Sequence, residues 1–319
     1  MPALNDAFDA TTTTDDVMRG VSLAGQTALV TGASSGLGVE TSRALAAAGA
    51  HVVMSARDAQ KLDKARAEVL AQVPQAALDT LLMDLADLDS VRAAAGQALQ
   101  DYPTIHLLIN NAGVMACPLM RTAQGFELQF GTNHLGHFLF TCLLAPALLA
   151  GAPARIVNLS SAGHKFADFN FDDPNYRQRD YEKWQAYGES KTANALFTVG
   201  IDKRLKDSGV RAYAVHPGVI MTELSRHMDH ADFETLSSRT PAGQELVFKS
   251  VEQGAATSVW AATAVELAEQ GAIYLENCQI AQPAVQEGNS GVESYALDAA
   301  AAERLWALSE QLVGQSFSF

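Results

Sequence analysis

From Thr27 onward two patterns alternate along the chain, and this alternation restricts the fold more than any other feature. Apolar runs at residues 27–31, 51–55, 80–83, 105–109, 154–159, 211–216 and 272–275 read as seven buried strands. Between them lie longer stretches, such as 37–48 and 61–73, whose apolar residues recur every three to four positions and read as helices. Parallel neighbours need a crossover connection, so the alternation predicts a doubly wound parallel sheet of seven strands with helices on both faces. No Pro-, Gly- or Ser-rich linker divides residues 21–319, which read as a single α/β domain. Residues 1–20 show no periodicity and are expected to be a flexible arm or to pack on a neighbour. Two stretches interrupt the rhythm, at 162–184 and 219–245, and connections of that length are often binding loops or lids.

The first strand leads directly into Thr31-Gly-Ala-Ser-Ser-Gly-Leu-Gly38 and then into a helix. Glycines at that place let backbone approach a pyrophosphate, whose charge a helix N-terminus favours. A tight turn alone would use the same residues, but their position after the first strand favours a dinucleotide. Farther on, Gln185-Ala-Tyr-Gly-Glu-Ser-Lys191 sets a tyrosine and a lysine four residues apart, hence on one helical face. A neighbouring ammonium favours the phenolate, so Tyr187 beside Lys191 is a candidate acid/base pair. Taken alone, the pair also fits an exposed aromatic beside a solvated charge.

These elements, taken together and in order, resemble the short-chain dehydrogenase/reductase family from about Thr27 to Leu275. Asn110-Asn-Ala-Gly113 is similar to that family's element supporting the adenosine side of the cofactor, and Asp84-Leu85 to the adenine contact. Asn133 in Gly131-Thr-Asn-His-Leu-Gly-His137, and Ser161 after the fifth strand, match the family's catalytic asparagine and serine; Pro217-Gly218 matches the turn beside the nicotinamide. The resemblance implies a Rossmann-type fold with catalytic residues Asn133, Ser161, Tyr187 and Lys191. The implied cofactor contacts are Gly32, Ser34, Ser35, Gly36, Leu37, Gly38, Arg57, Asp84, Leu85, Asn111, Ala112, Gly113, Tyr187, Lys191, Pro217, Gly218 and Thr222. Within the family, Phe130-Gly-Thr-Asn-His-Leu-Gly-His-Phe138, Tyr181-Glu-Lys-Trp-Gln-Ala-Tyr187, Gln253-Gly-Ala-Ala-Thr257 and Tyr274-Leu-Glu-Asn-Cys278 resemble the retinol dehydrogenase and WW-domain-containing oxidoreductase branch.

A carboxylate at the end of the second strand would bind the ribose hydroxyls of NAD and repel a 2′-phosphate, whereas an arginine would pair with that phosphate. Ser55-Ala56-Arg57 supplies no acid and one guanidinium, so NADP is expected over NAD; Asp58 weakens the field of Arg57. The resemblance then implies hydride exchange between NADPH and a carbonyl carbon. Tyr187 would serve as general acid/base, Ser161 would bind the oxygen, and Lys191 would lower the tyrosine and hold the ribose. Asn133 would position a water linking Lys191 to solvent.

The expected substrate is a hydrophobic, bulky or aromatic ketone or aldehyde, or the corresponding alcohol. Phe166, Phe169, Phe171, Tyr176, Tyr181 and Trp184 either wall its pocket or pack the 162–184 insertion onto the body. Met221, Leu224, Met228 and Phe233 could form a lid. A catalytically silent NADP-binding sensor or scaffold is the alternative, disfavoured because it has no chemical need for all four catalytic residues. An extended-branch epimerase or dehydratase would space its glycines differently and carry a larger C-terminal domain.

The net charge of −14, without a basic stripe, excludes an ordinary nucleic-acid partner. Three cysteines without paired spacing suggest buried thiols, neither disulfides nor a zinc site. His134, His137, His164 and His216 lack ligand spacing and read as structural or surface residues, so no metal is expected. A polar N-terminal stretch with no apolar anchor gives a cytoplasmic expectation. A helix read at 298–313, with those around Asn133 and Tyr187, is expected to join subunits into a homodimer or homotetramer.

Overall fold

β1 (Thr27–Thr31) pairs in parallel with β2 (His51–Ala56) on one side and β4 (Leu107–Asn110) on the other. In this computed structural model, which describes residues 8–228, 230, 232, 234, 247–284 and 290–319, the sheet grows outward from that central strand. β3 (Leu78–Leu82) joins β2, while β5 (Ala154–Leu159), β6 (Val210–His216) and β7 (Ile273–Glu276) follow β4, giving the parallel order β3-β2-β1-β4-β5-β6-β7. Progress along the sheet therefore reverses between β1 and β4, and such a reversal opens a crevice beyond the carboxyl ends of the strands.

The sequence predicts seven strands and the structure has eight. β8 (Gln279–Ile280) pairs antiparallel with β7 through a two-residue turn. Asn277 and Cys278 both have positive φ, 52° and 54°, as a turn matched to strand twist requires. Two residues make too short a run to announce a strand, and Asn-Cys is a weaker turn signal than Asn-Gly.

Strand side chains alternate between two cores, which is why each strand reads as continuously apolar. Leu29, Val53, Leu108 and Ile156 face α4 (Leu88–Asp101), α5 (Leu128–Ala150), α6 (Lys183–Leu205) and α8 (Ala299–Val313). Val30, Met54, Ile109 and Val157 face α2 (Gly36–Ala47), α3 (Ala59–Gln72) and α7 (Val251–Thr263). α5 is long and apolar enough to cross a membrane, but most of its apolar stretch is buried in this core. Its first half contains a π-helical turn, Gly131–Gly136, that carries Asn133.

Within the expected N-terminal arm, α1 (Thr14–Met18) starts with a Thr13/Asp16 capping box and docks against α2 and α7. The Thr14 hydroxyl meets the Glu40 carboxylate, and Arg43 bridges Glu40 and Asp15, each at 2.7 Å. At the other end, α8 lies over α5 and α6 of its own chain. Trp306 packs edge-on against Phe138, with ring centroids 5.0 Å apart, and Ser309 hydrogen-bonds His134 at 2.7 Å.

Candidate active site

A cleft of about 530 Å³ opens at the carboxyl ends of β1, β4 and β5, and every predicted cofactor residue except Gly38 lines it. The glycine loop shows why small residues stand there. Gly32 has φ +67°, and a Cβ on it would lie 2.7 Å from Ala112 Cα. A Cβ on Gly38 would reach within 2.3 Å of the Gly32 carbonyl, so Gly38, buried under the loop, lets α2 start against it. Ser35 precedes α2 without a side-chain cap, leaving backbone donors of the first turn for a ligand anion.

Thr31 and Asn111 weld the ends of β1 and β4 together. Asn111 Nδ2 donates to Thr31 O at 2.8 Å, and the N–H groups of Asn111 and Ala112 donate to Thr31 Oγ1 at 3.0 and 3.1 Å.

At the adenosine end, Arg57 is exposed along the cleft wall, while Asp58 accepts from Lys61 N at 3.0 Å as the cap of α3. Part of the Asp58 charge is thereby engaged. Ser55 Oγ lines the cleft, buried and with no protein partner among the described residues. Asp84 accepts from Ala86 N at 2.9 Å. The glycine cradle, the uncapped helix start and the orphaned Ser55 hydroxyl fit a dinucleotide.

Tyr187 and Lys191 stand on α6 beside Ser161, which follows β5. The Ser161 hydroxyl accepts from Gly163 N at 3.0 Å and lines the cleft beside Tyr187. Gly163 makes room for that phenol, since a Cβ there would lie 2.5 Å from Tyr187 Cε1. Burial pushes Tyr187 up to about 12, with Ser161 acting in the opposite direction. Lys191 is brought down to about 8 by burial. The expectation that Lys191 lowers the tyrosine is not what this geometry produces. The ammonium donates to Leu159 O at 3.0 Å and lies 5.7 Å from the Tyr187 ring centroid, so desolvation dominates.

The Asn133 side chain is committed to protein: it accepts from Val114 N at 2.8 Å and donates to Val114 O at 2.9 Å and Ser190 Oγ at 3.0 Å. Ser190 donates in turn to the Tyr187 carbonyl at 2.7 Å. Asn133 thus braces the helix that carries the tyrosine.

The aromatic insertion divides between its two expected roles. Phe166 and Trp184 line the cleft beside Tyr187, joined by Met115, Met120, Met221, Leu224 and Met228. Phe169 and Phe171 instead pack toward the core, and Tyr176 and Tyr181 meet edge to face with ring centroids 5.0 Å apart. Trp184 is fixed by Asp232, which accepts from its Nε1 at 3.0 Å and pairs with Lys183 at 2.6 Å. Phe233 lies outside the described residues.

Several contributors escaped the sequence reading. His137, four residues after Asn133, is buried between that residue and Thr31; the i,i+4 spacing was the available signal. His164 and Tyr274 both donate to the Ser161 carbonyl, at 2.7 and 2.9 Å, and only the fold brings them together. All four histidines singled out are buried, so none is a surface residue. The three cysteines are buried thiols. Among the described residues no group of three or more His, Cys, Asp or Glu could hold a metal.

Known proteins resemble this chain over most of its length. The family model described as short chain dehydrogenase matches residues 26–232. Retinol dehydrogenase 12 of Mus musculus is 42% identical over 294 residues, covering 92% of this chain and 88% of that protein. A crystal structure of a protein from Mycobacterium Paratuberculosis has a TM-score of 0.73 at 35% identity, covering 97% of this chain and all of that one. The Pseudomonas aeruginosa RhlG/NADP active-site complex has a TM-score of 0.63 at 26% identity, covering 80% of this chain and 95% of that one.

Proposed function

This chain belongs to the short-chain dehydrogenase/reductase family, in its retinol dehydrogenase branch, and from that premise we propose an NADP-dependent oxidoreductase that interconverts hydrophobic ketones or aldehydes with alcohols. The observation that carries the reading is the placement of Tyr187 and Ser161 in the same cleft as the glycine loop and Arg57. Bound there, the nicotinamide supplies or accepts a hydride. This chain's residues handle the oxygen and its proton. In reduction, Ser161 hydrogen-bonds the carbonyl oxygen while negative charge develops on it, and Tyr187 delivers the proton. With its phenol near 12, Tyr187 holds that proton at neutral pH. Lys191 faces the Leu159 carbonyl beside the cleft and is placed to hold ribose hydroxyls.

NADP is favoured over NAD because Ser55, Ala56 and Arg57 put no carboxylate where a 2′-phosphate would sit. RhlG, a structural relative, is described in complex with NADP. Phe166, Trp184, Met115, Met120, Met221, Leu224 and Met228 favour a bulky apolar substrate.

The test follows oxidation of NADPH and NADH in parallel against hydrophobic aldehydes and ketones, retinal among them, and then the reverse reaction with alcohols. Faster turnover with NADPH is expected. Preference for NADH would overturn the role of Arg57, and silence across the panel in both directions would overturn the oxidoreductase reading.

A further inference from the structure

His137 makes two hydrogen bonds whose directions follow from the chemistry of their partners. Its Nδ1 lies 2.9 Å from the Asn133 carbonyl oxygen, which can only accept, so Nδ1 carries the hydrogen. The ring is buried and kept neutral, its value falling to about 4, so Nε2 can only accept. Thr31 Oγ1, 2.8 Å away, must therefore donate to Nε2. Its lone pairs then receive the N–H groups of Asn111 and Ala112. The single Thr31 hydroxyl hydrogen goes to His137 Nε2 at 2.8 Å and not to the more distant Ile109 carbonyl at 3.4 Å, while the Asn111 N–H is shared between Thr31 Oγ1 and Ile109 O.

The chain of bonds joins two parts of the site. Thr31 immediately precedes Gly32, and Thr31, Asn111 and Ala112 line the dinucleotide cleft. Asn133 braces Val114 and, through Ser190, the backbone of Tyr187. We propose that His137 is a positioning residue that ties the floor of the cofactor cleft to Asn133, and through it holds the catalytic tyrosine in register with the dinucleotide. This rests on the oxidoreductase reading for its effect on turnover, although the tie itself also bears on cofactor binding.

The test compares His137→Phe, which can make neither bond, with His137→Gln, which keeps a donor and an acceptor. For each, kcat and KM with NADPH and a hydrophobic aldehyde, NADPH Kd by fluorescence, and Tm are measured. A displacement on the ångström scale can cost about a hundredfold in rate, so kcat of His137→Phe should fall roughly tenfold to a hundredfold at little-changed aldehyde KM. NADPH Kd should rise several-fold, and His137→Gln should recover part of both. Wild-type kcat and Kd in a folded His137→Phe would overturn the proposal. So would a His137→Gln protein that is folded yet no better than His137→Phe, because the lost hydrogen bonds would then not be the cause. If His137→Phe does not fold, His137→Gln is compared directly with wild type, and unchanged kcat and Kd overturn the proposal. If the wild-type protein turns over nothing, the activity reading fails by itself, and the Kd comparison still decides whether His137 serves the cleft.

Discussion

Replacing Gly163 with alanine adds one methyl group directly against the ring of Tyr187. The new Cβ would lie 2.5 Å from Tyr187 Cε1 and 2.8 Å from Cδ1. Ordinary contact begins at 3.4 Å, so the methyl and ring must part by about 0.9 Å. Gly163 does not have positive φ, so alanine suits the backbone itself and the conflict lies with the tyrosine. A Cβ at Gly188 would come within 2.8 Å of the Gly163 carbonyl, so the loop has little freedom to retreat. The ring must move. Misplacement of a reacting group by about 1 Å costs on the order of a hundredfold in rate, and overpacking costs about 1–3 kcal/mol of stability. Gly163→Ala should therefore lose about two orders of magnitude in kcat with a modest fall in Tm. NADPH affinity should change little, because the glycine loop and Arg57 are untouched. Steady-state kinetics with NADPH and a hydrophobic aldehyde, alongside a binding titration, measure all three. A folded Gly163→Ala protein with wild-type kcat would refute the placement of the phenol as the proton donor.

Other perturbations test separate parts of the site. Arg57→Ala should weaken NADPH roughly tenfold to a hundredfold and leave NADH nearly unchanged, since a charge-assisted bond is worth about 1.5–3 kcal/mol; parallel Kd measurements check this. Lys191→Met should abolish turnover yet raise Tm at pH 7. The folded Lys191 value, about 8, lies below its ordinary 10.5, so burying the charge opposes folding below pH 8 by on the order of 3 kcal/mol, offset by its bond to Leu159. That cost fades as the pH rises from about 8 to 10.5, so the Tm difference between variant and wild type should narrow across this window; a constant difference would contradict the assignment. Trp306→Ala should cost about 3–5 kcal/mol in denaturant unfolding, because the indole fills the seam between α8 and helices α5 and α6.

The parallel sheet was legible because its central strands are apolar on both faces and helical spacing recurs between strands. β8 was not, since its existence depends on backbone conformation at Asn277 and Cys278. At the site, the glycine loop was legible from its place after the first strand, while the Tyr187–Lys191 pair was ambiguous by spacing alone and, like Asn133, Ser161 and Asp84, was assigned through family resemblance. What sequence spacing could not supply was direction. Lys191 sits one turn from Tyr187 as expected, yet its ammonium points to the Leu159 carbonyl, and burial controls the phenol. Nor does spacing show that the Asn133 side chain bridges Val114 and Ser190. The aromatic insertion could not be divided in advance, because Phe166 and Phe169 differ in the tertiary surfaces they meet and scarcely in their local sequence.

The central claim is that Tyr187 transfers the proton in an NADPH-dependent reduction. It is tested most directly by comparing NADPH oxidation by wild type and Tyr187→Phe with the best aldehyde or ketone from the panel, after a binding titration shows both proteins loaded with cofactor. Loss of about two to four orders of magnitude in kcat, with NADPH affinity retained, is the predicted result. Equal turnover by the two loaded proteins would contradict the account.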